Sequence, residues 1–371
     1  ILQMNELKKV IISGGGTGGH IFPAVSIANA LRKRFPDIDI LFVGAKGRME
    51  MERVPKAGYP IVGLPVSGFD RKNLLRNFKV LLRLWKSIRQ AKSVIKSFKP
   101  QVAVGVGGYA SGPTLKAAQK KGIPTVLQEQ NSYPGVTNKM LGKNARVICT
   151  AYEDAGRFFP EGKVVLTGNP VRAALLDVDL TQAEAKSKLG FDPTGPLVLV
   201  VGGSLGARTI NRSMAAGLQQ FVDNGIQLLW QTGKAYENEI PAALNGMPGS
   251  IKATPFIDDM GLAYRAADLV VARAGAGTIS ELQLLGKAVL LVPSPNVAED
   301  HQRKNAQALV NHQAAEMVLD ADAPARLTAE AIALVKQPQR LKAMSDAISA
   351  MALRDSADKI VDEILKAVAE A

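Results

Sequence analysis

The sequence predicts an α/β protein made of two similar parallel-sheet domains with a cleft between them. Three observations carry that expectation. Short apolar runs alternate with helical patterns along the chain, as parallel strands joined by crossover helices require. A polar, turn-rich segment, "GNPVRAALLDVDLTQAEAKSKLGFDPTGP" (168–196), breaks that rhythm midway. After it, "PLVLVVGGSLGAR" (Pro196–Arg208) repeats the opening grammar of apolar strand, glycine turn and helix. A length of 371 residues suits two ordinary domains.

In the first half, strands are expected at Lys9–Ser13, Ile40–Gly44, Ile61–Pro65, Val102–Val106, Thr125–Gln128, Val147–Thr150 and Val164–Thr167. Helices fall between them, among them Pro23–Arg34, Leu74–Ser97 and Pro113–Lys120. After the strand that opens the second half, further strands are expected at Gln227–Gln231, Ile251–Pro255, Leu269–Ala272, Val289–Pro293 and Glu316–Leu319. The residues from Asp355 onward form one more amphipathic helix. The expected division is 5–170, 171–352, and a terminal helix, 353–371, that packs back on the first domain. No short-period repeat is present, which argues against a solenoid.

Composition narrows the function classes. At 47% hydrophobic and 21% charged, the chain has material for real cores. A single cysteine, Cys149, excludes an internal disulfide and suits a reducing cytosol. No apolar run reaches the roughly 18 residues of a membrane span, and the amino end runs almost directly into a strand, so neither a spanning helix nor a signal peptide is expected. The net charge of +13 favours nucleic acid, anionic membrane or phosphate-bearing partners. Aromatics make up only 5%, and no stacking patch appears, so no nucleic-acid partner is expected.

The charge is concentrated. From Arg71 through Gln128 there is no acidic residue, and within it Leu74, Leu75, Phe78, Leu81, Leu82, Trp85 and Ile88 recur at helical spacing between Arg76, Lys79, Arg83 and Lys86. Such a helix either packs on a core with a solvated basic face or lies on an anionic membrane. The second reading makes Leu75, Phe78, Lys79, Leu82, Trp85 and Lys86 the membrane contacts.

Four glycine loops follow apolar runs: "GGGTGGH" (Gly14–His20), "GVGGYASGP" (Gly105–Pro113), "GGSLGAR" (Gly202–Arg208) and "RAGAGTISE" (Arg273–Glu281). A glycine turn at a helix start offers amide hydrogens and a positive dipole end to an anion. Gly14, Gly16 and Gly19 fit G-x-G-x-x-G, but the second strand ends in Gly44-Ala45-Lys46 without the acid that would hold a dinucleotide ribose. Such loops gather at the carboxyl ends of parallel strands, so a donor and an acceptor that both carry phosphates are expected.

"GGTGGH", "GGYASGP", "EQN" (Glu129–Asn131), "TGNPVR", "GGSLGAR", "FIDDM" and "RAGAGTISE" occur in the order and at the spacings of one family. Over nearly its whole length the chain resembles the MurG-type N-acetylglucosaminyltransferases of bacterial peptidoglycan synthesis. The resemblance implies the GT-B fold, two Rossmann-like doubly wound domains. It also implies transfer of N-acetylglucosamine from UDP-N-acetylglucosamine to the 4-hydroxyl of the muramoyl-peptide on undecaprenyl pyrophosphate (lipid I), with inversion, giving lipid II. The expected location is the cytoplasmic face of the inner membrane, with other cell-wall synthesis proteins as possible partners.

By the same resemblance, Thr17, Gly18, Gly19, Asn131, Arg172 and Ser204 contact the donor, and the backbone of Ile257 reads uracil. Ala276, Gly277, Thr278, Ile279, Ser280 and Glu281 hold phosphate and ribose, and Gln302 contacts the transferred sugar. Tyr109 and Ser111 receive the acceptor's pyrophosphate. Inversion implies one in-line displacement, with a base for the hydroxyl proton and positive charge for the leaving pyrophosphate. His20 is the expected base because imidazole titrates near neutrality; Glu129 is the rival, since burial raises a carboxyl pKa. Asp258-Asp259 reads best as a helix N-cap pair. No D-x-D pattern sits in the four glycine loops, so neither a metal nor a cofactor is expected, and UDP-N-acetylglucosamine enters as substrate.

Overall fold

Runs such as "VAVG" and "TVLQE" carry no polar alternation, the composition of strands covered on both faces. In the computed structural model every position of both runs is buried. The structure describes residues 7–66, 74–172, 175–203, 206–297 and 300–370, the side chains of 74–81 excepted. Contacts divide the chain into one unit of residues 1–172 with 353–371 and a second of residues 173–352.

The first unit holds β1 (Lys9–Ser13), β2 (Asp39–Ala45), β3 (Ile61–Leu64), β4 (Val102–Gly105), β5 (Thr125–Glu129), β6 (Val147–Thr150) and β7 (Val164–Leu166). They form one parallel sheet in the order β3-β2-β1-β4-β5-β6-β7. Its helices are α1 (Gly18–Arg34), α2 (Glu50–Lys56), α3 (Leu74–Phe98), α4 (Ser111–Gln119) and α5 (Val136–Gly142). The second unit holds β8 (Leu197–Val201), β9 (Gln227–Gln231), β10 (Ile251–Thr254), β11 (Leu269–Ala272), β12 (Val289–Leu291) and β13 (Glu316–Met317), parallel in the order β10-β9-β8-β11-β12-β13. Its helices are α6 (Gln182–Lys188), α7 (Arg208–Asp223), α8 (Ile240–Ala243), α9 (Met260–Ala266), α10 (Ala276–Leu285), α11 (His301–Asn311), α12 (Ala323–Val335) and α13 (Pro338–Ala350).

Both sheets are doubly wound. Strand order reverses between β1 and β4 in the first and between β8 and β11 in the second. At such a switch point the loops leaving adjacent strands diverge to opposite faces and open a crevice at the carboxyl ends. The four glycine loops are the ones that leave these four strands. The last helix, α14 (Ser356–Ala369), belongs to the first unit. Its Ile360, Val361, Ile364 and Ala367 are buried in the cluster that contains Ile27 and Leu31 of α1 and Val126 of β5. Arg34 pairs with Asp362 across the same contact.

The start of α1 departs from the sequence expectation. Proline is favoured in a first helical turn, which places the start at Pro23. The structure begins the helix at Gly18 and carries Pro23 inside it, so His20 lies on the helix rather than in the loop.

Candidate functional site

In the first unit, β1 ends at Ser13 and the chain turns through Gly14–Thr17 into α1. Gly15 and Gly16 have φ of 148° and 89°, where a side chain is strained. A Cβ on Gly108 would lie 2.3 Å from the Gly15 carbonyl oxygen, so the first two glycine loops touch backbone to backbone. The Gly15 amide donates to the Gly107 carbonyl at 3.2 Å. Thr17 is the extended N-cap residue, and its carbonyl accepts the amides of His20 and Ile21. Gly18 lies against the Phe22 ring, whereas Thr17 and Gly19 are exposed.

His20 is held by this turn. Its Nδ1 lies 3.0 Å from the Gly15 carbonyl oxygen and 3.3 Å from Thr17 Oγ1. A carbonyl can only accept, so Nδ1 carries the hydrogen and, in the neutral ring, Nε2 carries the lone pair. The Nε2 edge rests against Gly107, where an added Cβ would lie 2.8 Å from both Nε2 and Cδ2. Tyr109, in the same loop, is half exposed. Ser111 is the first residue of α4, its side chain is fully buried, and its hydroxyl donates to the carbonyls of Ser13 and Gly107 at 2.7 and 3.0 Å. That hydroxyl fastens the two loops together.

Glu129 closes β5 and is 2% exposed. Its Oε1 accepts from the Asn131 amide at 3.0 Å and from Asn131 Nδ2 at 3.3 Å, and its Oε2 accepts from Asn138 Nδ2 at 2.7 Å. Burial pushes its carboxyl pKa up, opposed by these donors. Both oxygens are thus engaged in shaping the loop that carries Asn131, so the geometry favours His20 over Glu129 as a proton acceptor. Beneath them, Gln128 Nε2 donates to Asn169 and Asn169 Nδ2 to the Gln130 carbonyl, a buried amide chain under the same loop. The Arg172 guanidinium lies 4.8 Å from the Phe22 ring centroid, a cation–π contact that links "GNPVR" to α1.

In the second unit, β8 leads through Gly202 and Gly203 into α7; Ser204 lies outside the described residues. Gly206 has φ 80°, and a Cβ there would meet the Thr232 carbonyl oxygen at 2.3 Å. The fourth loop leads into α10, with Gly275 as extended N-cap and Ala276, Gly277 and Thr278 in the first turn. Neither α7 nor α10 has an acidic residue in its first turn, and a Cβ on Gly277 or Gly203 would meet nothing within 4 Å. The start of α10 therefore presents amides and open backbone, and Gly203 is the open point of the turn that leads to α7.

Ile279 is fully buried, and Ala276 and Ser280 nearly so. The Ile279 side chain therefore belongs to the core, and any ligand contact at this residue is through its backbone. Glu281 is half-buried, and its Oε2 accepts from Tyr264 Oη at 3.2 Å. The Ile257 amide donates to Gln231 Oε1 at 3.2 Å, so the carbonyl is the group this residue has to offer a base. Gln302 Oε1 accepts the Ser294 amide at 2.9 Å, which pins α11 to the loop after β12. Asp259 is the N-cap of α9 and accepts the Leu262 amide, as the sequence suggests.

Leu82 and Trp85 of α3 are 50% and 56% exposed, while Ser87, Ala91 and Ile95 turn inward. Arg83, Lys86, Arg89 and Lys92 surround the exposed pair, and Arg89 lies over the Trp85 ring at 4.7 Å. The side chains of Leu75, Phe78 and Lys79 lie outside the described residues. Among the described residues no helix is long and apolar enough to cross a membrane, and no three His, Cys, Asp or Glu side chains gather as metal ligands.

Two structural groups escape the sequence reading. Glu50, in "GRMEMER", is 1% exposed, and its carboxylate accepts the Gly16 and Ala45 amides at 2.8 and 2.9 Å. Its one signal is the four-residue spacing to buried Val54, which places both on one helix face. Arg273 donates to the carbonyls of Val292 and Pro293 and pairs with Asp320, which also accepts from Thr209. That network ties the fourth glycine loop to the first turn of α7.

Residues 10–150 match the glycosyltransferase family 28 N-terminal domain and residues 197–360 its C-terminal domain. The chain is 58% identical to the UDP-N-acetylglucosamine--N-acetylmuramyl-(pentapeptide) pyrophosphoryl-undecaprenol N-acetylglucosamine transferase of Phocaeicola vulgatus, over 98% of this chain and 97% of that one. It is 57% identical to the transferase of the same name from Parabacteroides distasonis, over 97% and 98% of the two chains. The crystal structure of Acinetobacter baumannii MurG superposes with a TM-score of 0.76 at 29% identity, covering 97% of this chain and 99% of that one. Two doubly wound units with glycine loops at both switch points, matched end to end by these relatives, place the chain in glycosyltransferase family 28, among the N-acetylglucosamine transferases of that name.

Proposed function

We propose that this protein transfers N-acetylglucosamine from UDP-N-acetylglucosamine to the 4-hydroxyl of a muramoyl-peptide carried on undecaprenyl pyrophosphate, with inversion. The family membership supports the reaction class and both substrates. The carrying observation is the 3.0 Å approach of His20 Nδ1 to the Gly15 carbonyl oxygen, an acceptor that calls for the hydrogen on Nδ1 and so makes Nε2 the basic atom. In one displacement the acceptor oxygen bonds to the anomeric carbon while the bond from that carbon to the β-phosphate oxygen breaks. The hydroxyl proton passes to Nε2, and the electron pair leaves with UDP.

UDP is read by the second unit. The amides at the starts of α7 and α10 receive the pyrophosphate, Glu281 accepts from the ribose hydroxyls, and Gln302 orients the sugar. Tyr109, half exposed in the loop whose Gly107 meets the His20 ring, is the side chain offered to the acceptor. Helix starts supply the positive charge that the leaving group needs, so the reaction proceeds without a metal. Enzyme assayed in excess EDTA keeps its turnover; loss of turnover that magnesium restores defeats that part of the reading. Leu82 and Trp85, ringed by bases, suit peripheral attachment to the anionic cytoplasmic face of the cell membrane.

The deciding experiment compares UDP release with and without the lipid-linked acceptor. Transfer gives acceptor-dependent release and a new disaccharide lipid. Release at the same rate without lipid, with a changed sugar stereocentre, identifies an epimerase instead.

A further inference from the structure

Behind His20 the first glycine loop meets a buried acidic side chain, Glu50. Gly15 and Gly16 share a peptide group whose two ends are both occupied. Its carbonyl oxygen takes the His20 Nδ1 hydrogen at 3.0 Å, and its N–H donates to Glu50 Oε2 at 2.8 Å. The other carboxylate oxygen, Oε1, accepts the Ala45 amide at 2.9 Å. Glu50 is 1% exposed, and two glycines make room for it. A Cβ on Gly15 would lie 2.3 Å from its carboxyl carbon, and one on Gly44 would lie 2.5 Å from its Cγ.

We infer that Glu50 is a positioning residue for the proton transfer, acting on His20 through the Gly15–Gly16 peptide. The physical reason is polarisation. An anion hydrogen-bonded to the N–H of a peptide shifts electron density toward its carbonyl oxygen, and linked hydrogen bonds strengthen one another. The Gly15 oxygen then holds the Nδ1 hydrogen more firmly, fixes the tautomer, and favours the imidazolium that forms when Nε2 takes the hydroxyl proton. The arrangement is a carboxylate–histidine pair with one peptide group inserted. No atom is added or lost: the single proton moves from the acceptor hydroxyl to Nε2.

This inference rests on His20 being the base, and the test separates the two. Glu50→Gln keeps the size of the side chain but exchanges one acceptor oxygen for a donor, so one of the two amides loses its partner. The expected result is a fall in kcat of roughly tenfold or more with the KM for UDP-N-acetylglucosamine changed by less than about threefold. In a His20→Ala background the same substitution costs less than about twofold, because the group it serves is gone. Full kcat in folded Glu50→Gln, or an equal loss in both backgrounds, overturns the relay. Full turnover of His20→Ala overturns the base assignment itself.

Should Glu50→Gln fail to fold, the native protein still decides. The chain has three histidines, so nitrogen-15 NMR of histidine-labelled protein resolves each ring. A neutral His20 with its hydrogen on Nδ1 is required. A hydrogen on Nε2 removes the link to Gly15 and with it the proposal.

Discussion

On the proposed reading His20 acts as base and Glu281 holds the ribose, and substitution separates their effects. His20→Ala removes Nε2 while leaving the second unit untouched, so most turnover is lost and UDP affinity stays near native. Glu281→Ala weakens UDP binding, since its carboxylate sits in the helix expected to hold ribose. Isothermal titration with UDP, alongside turnover, checks both, and the reverse pattern overturns both roles. Gly107→Ala is a sharper probe. The new methyl would meet the imidazole at 2.8 Å on a backbone with φ 95°, so the ring is displaced and turnover falls steeply, by about tenfold or more, while UDP binding in the second unit is unchanged. The glycines are legible at this scale because positive φ and close backbone approach leave few alternatives. Glu50 and the Arg273–Asp320 pair are not, because a buried charge and a solvated one look alike in a sequence. The loop-fastening bonds of the Ser111 hydroxyl are equally illegible, because a polar residue in a glycine loop can as readily tie the loop down as reach a ligand.

At the scale of elements, the strands are legible because continuous Val, Ile and Leu runs of four to seven residues, bounded by glycine or charge, have few other uses. β13 is shorter than expected, ending at Met317, because Val318 and Leu319 continue the apolar run beyond the ladder. The small helices α2 and α5, seven residues each, lack the length for a periodic signal. α3 is legible as a helix but not in the use of its faces. Ala91 and Ile95 pack inward, whereas Leu82 and Trp85 remain outside. Trp85 reports on that surface conveniently, since the only other tryptophan, Trp230, is buried and donates to Asn211. Vesicles rich in anionic phospholipid are expected to shift Trp85 emission to the blue at low salt, with reversal at high salt. No shift, with no cosedimentation, ends the membrane assignment.

Across the whole molecule, the doubly wound order appears twice, and neither sequence half shows it alone: strand positions can be read along the chain, but lateral order comes from helices covering both faces. The first unit is also assembled from both ends of the chain. Removing residues 353–371 uncovers the cluster that Ile360, Val361 and Ile364 complete. Each of these three buried side chains is worth roughly 1.5–3 kcal/mol, so the truncated first unit loses about 5 kcal/mol or more. Urea unfolding followed by circular dichroism reads this as an early transition confined to part of the signal; a single native-like transition contradicts it.

α14 also has a consequence for birth on the ribosome. Translation runs from the amino end, yet the sheet made first waits for a helix made last. The segment 173–352 can close its own interior as soon as it emerges, so the lobe begun second is finished first. Until residues 356–369 emerge, the nascent amino-terminal lobe keeps a greasy seam open, and any message cut short before Ser356 yields a protein that never seals it.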